Sequence, residues 1–306
     1  MGQLKDFGRE GLGKALDAAR YFIAGTPFEA PPLASGLYVV ATPIGNLRDI
    51  TLRALETLAS ADVIYCEDTR TSATLLAHYG IKAPRKALHE HNERELIDAI
   101  LADLGRGGRV ALISDAGTPL LSDPGFPLVR AARETGLPVF AIPGASALLG
   151  ALAVAGLPTD AFSFVGFLPA KAGARANAIA ALKTVPGTLA FYESPRRLGE
   201  ALAALAEGLG DRDAAVALEL TKKFERVLRG TLSELATQFG DDTKGEAVIL
   251  VTAAADAAVD AADWQAALAD AMAEQPLRAA VDEIAARFGL KRKQVYDAAL
   301  ALKADE

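Results

Sequence analysis

The stretch LISDAGTPLLSDPG at residues 112–125 decides which fold class this chain belongs to. It begins as an apolar run and passes directly into a loop of Asp, Gly, Pro, Ser and Thr. A strand that ends in such a loop is typical of parallel α/β sheets, which bind ligands beyond the carboxyl ends of their strands. Because tight turns use the same residues, the stretch alone leaves a turn and a ligand loop as alternatives.

Apolar runs of strand length recur on both sides of this stretch and alternate with segments of helical periodicity. That alternation indicates an α/β layer domain with a largely parallel sheet. The predicted strands of this domain lie at 37–41, 63–66, 109–113 and 139–142, and its predicted helices lie at 52–61, 94–104 and 126–135.

The alternation breaks at residues 155–162, where Gly and Pro interrupt a helix. A second set of predicted strands follows, so we place a domain boundary near residues 157–160. An Ala- and Asp-rich linker comes after Val251. The predicted strands of the second domain lie at 162–166, 188–192, 214–220 and 247–251.

The C-terminal segment reads as two amphipathic helices joined at residues 288–290, a candidate helix-turn-helix. Its junction carries Arg287, Lys291, Arg292 and Lys293 with no acidic residue between them. Such a basic patch favours nucleic-acid contact, whereas packing of a chain terminus is the alternative. The chain thus divides into an N-terminal extension, two α/β domains and a small helical segment, at 1–35, 36–157, 158–253 and 262–304.

The composition excludes several classes of protein. The chain has 306 residues and a net charge of −7, which argues against a generic nucleic-acid coat but allows a local basic face. Its one cysteine, Cys66, rules out an intramolecular disulfide and a Cys-rich zinc site, and it fits the cytoplasm. No apolar run has the length of a membrane span. Residues 1–35 read as a partly disordered or partly helical extension rather than as a signal peptide.

Four loops at the ends of predicted strands share an unusual composition. Pro restricts their backbone, and Gly lets the backbone approach a ligand closely. The phosphate-binding patterns GxGxxG and GxxxxGK[ST] are missing, and the loop at 114–125 holds no Lys or Arg. A ligand with an adenine, a ribose and an amino-acid end suits such loops, and S-adenosylmethionine is one. The four loops lie at 41–47, 114–125, 143–146 and 192–197.

Seven motifs, in this order, resemble those of the ribosomal RNA small subunit methyltransferase I family, a branch of the tetrapyrrole methylase superfamily. The resemblance implies a tetrapyrrole-methylase-like fold of two α/β domains, usually a homodimer, with S-adenosylmethionine in the cleft between them. It also implies 2′-O-methylation of a cytidine in the decoding centre of 16S rRNA, in free rRNA or in the small ribosomal subunit. The motifs are LYVVATPIGNLRDITLRALETL, CEDTR, HEHNE, ISDAGTPLLSDPG, PGASA, FYESPRR and ELTKKFE.

The cofactor pattern of this superfamily, carried over motif by motif, assigns twelve residues of this chain to S-adenosylmethionine. Those of the first domain are expected to contact it mainly with backbone groups, and those of the second to cover its adenosine side. The twelve are Pro43, Gly45, Ala116, Gly117, Thr118, Leu121, Ser122, Ser146, Ala147, Tyr192, Leu220 and Ala247.

Methyl transfer to a ribose hydroxyl is an in-line displacement in which the protein mainly positions the reactants. Since the hydroxyl is a weak acid, a carboxylate or a neutral His is expected to take its proton. Glu67, after the second predicted strand, and Glu193, at the expected edge of the cofactor, are the candidate bases. His89 and His91 with Asn92 form a further candidate set, although they could equally begin the helix that follows.

Positively charged side chains concentrate beside the motif loops, where we expect contacts with RNA. Phosphate contacts would give affinity without selecting one nucleotide. The alternatives are a helix cap at Asp68 and a solvated charged face. The candidate RNA-binding residues are Asp68, Arg70, His91, Asn92, Arg196, Lys222, Lys291 and Arg292.

Two other functions stay open on the sequence. One is a tetrapyrrole or small-molecule methylase of the same superfamily, against which the basic terminal helices and the CEDTR and HEHNE motifs argue. The other is a non-enzymatic RNA-binding protein of ribosome assembly that keeps the fold without its activity. Binding of S-adenosylmethionine separates that protein from both enzymes. We expect a cytoplasmic enzyme with no membrane partner and no metal.

Overall fold

The first half of the chain forms a five-stranded sheet that is parallel throughout. The computed structural model describes residues 19–240, 243–254, 261–288 and 290–304. The strand order is β5-β4-β6-β3-β7, preceded in the chain by a small antiparallel β1–β2 hairpin. These strands are β1 (Arg20–Ile23), β2 (Thr26–Glu29), β3 (Gly36–Val40), β4 (Val63–Cys66), β5 (Arg85–Ala87), β6 (Arg109–Leu112) and β7 (Val139–Ile142).

Helices connect these strands, and three of them begin after a capping side chain. Thr51, Asp68 and Ser146 precede α1, α2 and α5, and each side chain accepts a hydrogen bond from the first turn of its helix. The helices are α1 (Leu52–Ser60), α2 (Thr69–His78), α3 (Glu93–Gly105), α4 (Phe126–Glu134) and α5 (Ala147–Ala155).

The second half forms a mixed five-stranded sheet in the order β11-β10-β12-β9-β8, in which only β8 and β9 are parallel. The predicted domain boundary at 157–160 falls in the connection between α5 and β8. The elements are β8 (Phe162–Phe167), α6 (Ala172–Ala180), β9 (Thr188–Glu193), α7 (Leu198–Leu209), β10 (Asp213–Leu218), β11 (Arg226–Thr231), α8 (Leu232–Ala236) and β12 (Ala247–Val251).

Helix α5 joins the two halves, because it belongs to the first and packs on the sheet of the second. Its Leu148, Ala151 and Leu152 share a buried cluster with Ala215 of β10 and Val248 of β12. An almost wholly apolar helix can bury one side in this way without exposing an unpaired polar group. The contact brings the carboxyl ends of the parallel strands next to the second sheet.

Cys66 ends β4 and lies fully buried in the core of the first sheet. Its thiol is 3.7 Å from the Lys86 carbonyl oxygen, and burial raises the pKa of the thiol. The residue is a free cysteine and packs as a small apolar side chain of the core.

Three helices form the C-terminal segment, with a core of their own. The sequence predicts two helices here, which correspond to α10 (Leu277–Phe288) and α11 (Arg292–Ala304). A third, α9 (Ala261–Glu274), precedes them and contributes the buried Trp264 and Leu268. The helical-pair prediction was therefore incomplete. The Ala-rich run that reads as a linker supplies the beginning of α9.

The sequence analysis did not predict strands within residues 1–35, but two are present. Residues 19–35 contain the β1–β2 hairpin, whose Tyr21 is buried against the first sheet and stacks on Phe28. Residues 1–18 lie outside the described part of the chain. Among the helices that are described, none combines the length and apolar character required to cross a bilayer.

Candidate active site

A cavity of about 420 Å³, the main cavity, opens between the two halves of the chain. That volume lies in the range of small-molecule sites. Nine of the twelve residues assigned to the cofactor line it, together with the candidate base Glu193. The nine are Ala116, Gly117, Thr118, Leu121, Ser122, Ala147, Tyr192, Leu220 and Ala247.

The loop at 114–125 forms one wall of the main cavity, and hydrogen bonds fix its path. Thr42 and Gly117 exchange two backbone hydrogen bonds of 2.8 and 3.1 Å. The Thr118 hydroxyl donates to the Ala145 carbonyl at 3.2 Å, which ties the loop to the start of α5. Leu120 and Ser122 adopt φ values of 75° and 72°, a region that side chains other than Gly rarely occupy. Such strain is typical of functional loops that the surrounding structure holds in place.

Asp123 lines the main cavity and is a residue that the sequence analysis did not select. Burial raises the pKa of its carboxyl to about 6, against the lowering effect of the Ser114 hydroxyl. The negative charges of Glu67 and Asp115 raise the pKa further. An Asp shortly before a helix is an ordinary capping residue. Gly125 occupies the cap position of α4 instead, and Asp123 faces the cavity.

The second sheet supplies the opposite wall. Tyr192 packs edge-on against Phe164 and Phe167, with ring centroids 4.8 and 5.8 Å apart. Glu193, the next residue, is almost fully buried, and its Oε1 accepts a hydrogen bond of 2.7 Å from the Ser194 amide. Its Oε2 lies 3.3 Å from Arg197 Nη2. Burial raises the pKa of Glu193, while the Ser194 amide and Arg197 act in the opposite direction.

A second cavity, also of about 420 Å³, adjoins the main one. The two share Ile44, Asp115, Ala116 and Glu246 in their linings. Pro43 and Gly45, assigned to the cofactor on the sequence, line this second cavity and not the main one. Ser146 lines neither, and its hydroxyl caps α5. The other residues that line the second cavity include Thr42, Thr71, Ser72, Ser114 and Lys222.

Lys222 spans the cleft from the second half to the first. A Cβ atom on Gly45 would lie 2.3 Å from Lys222 Cε, so only Gly allows this approach. The Lys222 ammonium lies 2.9 Å from Glu219 Oε1 and 3.3 Å from Glu246 Oε2. Burial lowers the pKa of Lys222, but these two carboxylates outweigh burial and raise it. Lys222, which is expected on the sequence to contact RNA, is therefore paired with Glu219 and Glu246 of the protein itself.

The CEDTR segment lies beside the cavities rather than in their linings. Asp68 caps α2 and binds the exposed guanidinium of Arg70 at 2.6 Å, an arrangement that holds the pKa of Asp68 at about 2. Its backbone amide donates to Asp115 Oδ1 at 3.0 Å. Glu67 is exposed, and partial desolvation and the nearby Asp115 raise its pKa.

The remaining predicted residues are dispersed. Asn92 precedes α3, and its side chain accepts from the His89 amide and donates to the Ala87 carbonyl. His91 and Arg196 are exposed and line neither cavity. Arg292 Nε binds Asp282 of α10 at 2.5 Å. Arg292 of the basic junction therefore has an acidic partner on α10, while Lys291 is exposed.

Comparisons with known proteins agree with this geometry. The family described as Tetrapyrrole (Corrin/Porphyrin) Methylases matches residues 36–236, and the RsmI C-terminal HTH domain matches residues 258–303. A relative from Mesorhizobium japonicum named ribosomal RNA small subunit methyltransferase I is 52% identical over 281 residues, 91% of this chain and 96% of the relative. A relative of the same name from Escherichia coli O157:H7 is 45% identical over 269 residues, 86% and 94% of the two chains.

Solved structures share the fold at low sequence identity. A diphthine synthase matches with a TM-score of 0.57 at 19% identity, over 71% of this chain and 89% of that chain. The uroporphyrin-III-C-methyltransferase of Thermus thermophilus matches with a TM-score of 0.52 at 21% identity, over 71% and 94%. The predicted α/β fold is confirmed. This chain belongs to the ribosomal RNA small subunit methyltransferase I family, whose members have the tetrapyrrole methylase fold and use S-adenosylmethionine as their methyl donor.

Proposed function

We propose that this protein methylates the ribose 2′-hydroxyl of a cytidine in the decoding centre of 16S rRNA. The observation that carries the proposal is the pair of adjoining cavities, which share Ile44, Asp115, Ala116 and Glu246. One cavity can hold the methyl donor while the other receives the nucleotide. The relatives named as small-subunit ribosomal RNA methyltransferases support RNA as the acceptor.

The main cavity fits S-adenosylmethionine in charge and in shape. Among the residues that the structure describes, its lining contains the carboxylates of Asp115, Asp123, Glu193 and Glu246 but no Lys or Arg. The cofactor carries a positive sulfonium, which supplies an activated methyl group, and such a ligand is favoured by carboxylates and needs no cationic phosphate site. Backbone groups of the loop at 114–125 would hold its polar end, and the aromatic side of Tyr192 would pack against the adenosine.

The protein mainly positions the two reactants and accepts one proton. Glu193 is the candidate base that the site supports better than Glu67, because it lines the main cavity whereas Glu67 is exposed outside both cavities. Burial makes the Glu193 carboxylate a stronger base, since it raises the pKa. Arg197, 3.3 Å away, keeps the side chain in one orientation. The proton of the 2′-hydroxyl would pass to Glu193 as the oxygen is methylated.

Cations on both halves of the chain are proposed to hold the RNA. Arg70, Arg196 and Lys291 have exposed side chains that can reach phosphates. Asp68 would act indirectly, by fixing Arg70, and Lys222 by closing the cleft over the nucleotide. Arg292, His91 and Asn92 complete the predicted contact set.

We also propose that the protein is a cytoplasmic homodimer. Leu149 and Val154 of α5 are 58% and 49% exposed, and Phe140 lies on the edge strand β7 that precedes this helix. An apolar surface on a helix whose other side is already buried fits a second copy of the chain.

Transfer of a tritiated methyl group separates the candidate functions. The substrates are naked 16S rRNA, 30S particles and uroporphyrinogen, each with labelled S-adenosylmethionine. We expect label in RNA, at a cytidine whose ribose then resists alkaline cleavage. Label in the tetrapyrrole alone would contradict the proposal, and absence of S-adenosylmethionine binding by calorimetry would leave only a non-enzymatic role.

A further inference from the structure

The turn between β10 and β11 presents an aromatic side chain to solvent. Phe224 is 72% exposed, more than any other large hydrophobic side chain in the described part of the chain; the next is Phe126, at 62%. A phenyl ring in water forgoes the stabilisation that burial would give it. Isolated exposed apolar residues are common, so exposure alone does not indicate a function for Phe224. The position of the ring does.

The turn holds the ring in a defined place. Glu219 and Thr221 have φ values of 51° and 64°, which are strained for residues other than Gly and most of all for β-branched Thr. The Thr221 amide donates to Glu225 Oε2 at 2.6 Å, and the Glu225 amide donates to the Lys222 carbonyl at 3.1 Å. The Glu219 side chain accepts from the Glu246 amide at 2.9 Å. These bonds fix the turn that carries Phe224.

The same turn reaches both cavities. Leu220 lines the main cavity, and Lys222 lines the second one. Phe224 follows Lys222 by two residues, which keeps its backbone within about 7 Å of a residue that lines the second cavity. A nucleotide in the second cavity would have its neighbours in the RNA strand close to this turn.

The charges around the ring suit a nucleic acid strand. Lys223 Nζ lies 5.5 Å from the centroid of the Phe224 ring, and Arg226 is exposed at the start of β11. The acidic residues of the turn are bonded within it: Glu219 pairs with Lys222, and Glu225 accepts a hydrogen bond from the Thr221 amide. An aromatic face with adjacent cations is the combination that binds single-stranded RNA by stacking.

We propose that Phe224 is a stacking platform for an unpaired base next to the methylated nucleotide, and that Lys223 contacts the phosphate beside it. The inference rests on the proposed function, since it requires an RNA strand at the second cavity. Stacking tolerates any base, so Phe224 contributes affinity and orientation of the strand rather than choice of the nucleotide.

The test compares Phe224→Ala, Phe224→Trp and a control, Phe162→Ala, which removes an exposed ring at the opposite end of β8 from the cavity residue Phe167. Fluorescence anisotropy with a single-stranded 16S rRNA fragment measures RNA affinity, and calorimetry measures S-adenosylmethionine affinity. We expect Phe224→Ala to weaken RNA binding about 5- to 100-fold. Its S-adenosylmethionine affinity should stay within about twofold, and Phe162→Ala should bind RNA as the wild type does.

Phe224→Trp supplies a direct readout of stacking. The chain has one natural tryptophan, Trp264, which is buried in the helical segment. RNA should therefore quench the added fluorescence of Phe224→Trp, relative to the wild type, while affinity is retained. Wild-type RNA affinity in Phe224→Ala, or no quenching in Phe224→Trp, would overturn the inference. A shift of Phe224→Ala from dimer to monomer, with unchanged RNA affinity, would instead show that the ring contacts a second copy of the chain. Failure of the wild type to transfer a methyl group to either 16S rRNA or 30S particles would refute the proposed function itself.

Discussion

Asp123 shows at the scale of one residue what a cavity does to a carboxyl group. Burial raises its pKa from 3.8 to about 6, and the charges of Glu67 and Asp115 add to the effect, while the Ser114 hydroxyl opposes it. The pKa in the folded state thus exceeds the unfolded value, so folding favours the protonated form. The resulting stability is fully present below about pH 4 and is lost as the pH rises through about 6.

Asp123→Asn should remove this pH dependence. The shift from 3.8 to about 6 corresponds to a loss on the order of 3 kcal/mol between low and neutral pH. The free energy of unfolding of the variant, relative to wild type, should therefore rise by up to that amount between about pH 4 and about pH 7.5. Urea denaturation at both pH values measures the difference, from which the titration of other groups largely cancels. An equal difference at the two pH values would show that the carboxyl is not perturbed.

Gly45 is required by the close approach of Lys222. Gly45→Ala places a Cβ 2.3 Å from Lys222 Cε at a φ of 143°, so we expect a loss of about 1–3 kcal/mol of stability. Lys222→Ala in the same chain should restore part of that loss, because the clash disappears while the backbone strain stays. Gly107→Ala is the control: its φ is 90°, but no atom lies within 4 Å of the added Cβ. Additive effects of the two changes in chemical denaturation would argue against the contact.

Residue-level prediction succeeded where the motif itself determines the backbone. Ala116, Gly117 and Thr118 line the main cavity because the loop that follows β6 can only leave the sheet at its carboxyl edge. It failed for Asp123, since an Asp in a turn and an Asp facing a cavity have the same sequence surroundings. Prediction also missed the ion pairing of Lys222, because its partner Glu246 precedes a different strand, β12.

At the scale of elements, two of the strands that were missed, β5 and β11, lie at sheet edges. Apolar runs predicted β4, β7 and β12 with the bounds observed. The segments RKA of β5 and RVLRGT of β11 lie at sheet edges, where solvent faces the strand and no continuous apolar run is needed. The predicted strand at 214–220 ends at Leu218, because Glu219 turns into the left-handed region.

Helix α4 depends on a residue of another helix for its first turn. Gly125 offers no capping side chain, and the buried Glu93 of α3 accepts a hydrogen bond of 3.3 Å from the Leu128 amide. Glu93→Ala should cost about 1–2 kcal/mol of stability, because a buried amide loses its partner. Glu93→Gln, which keeps an acceptor, should lose less, and Glu95→Ala at an exposed position of α3 should be nearly neutral. Equal stabilities of Glu93→Ala and Glu95→Ala in urea denaturation would contradict the capping role.

At the scale of the whole molecule, α5 has two apolar sides, and the described part of the chain covers only one of them. If a second copy covers the other, Leu149→Glu should place a charge in the interface and shift the protein from dimer towards the 31.9 kDa monomer. Sedimentation velocity at micromolar concentration measures the mass. Ala180→Glu, at an exposed position of α6, is the control and should leave the dimer intact. A wild-type monomer, or a Leu149→Glu dimer, would exclude this surface as the interface.

The burial of Cys66 makes the alkylation rate of its thiol a measure of how often the first sheet opens. Since the thiol is inaccessible and its pKa is raised, an alkylating reagent can modify it only when the first sheet opens around β4. The alkylation rate of the native protein therefore reports how often that sheet opens, without any engineered label. A ligand that holds the loop after β6 in place would lower the alkylation rate of Cys66. That rate therefore measures occupancy of the site even in the absence of turnover.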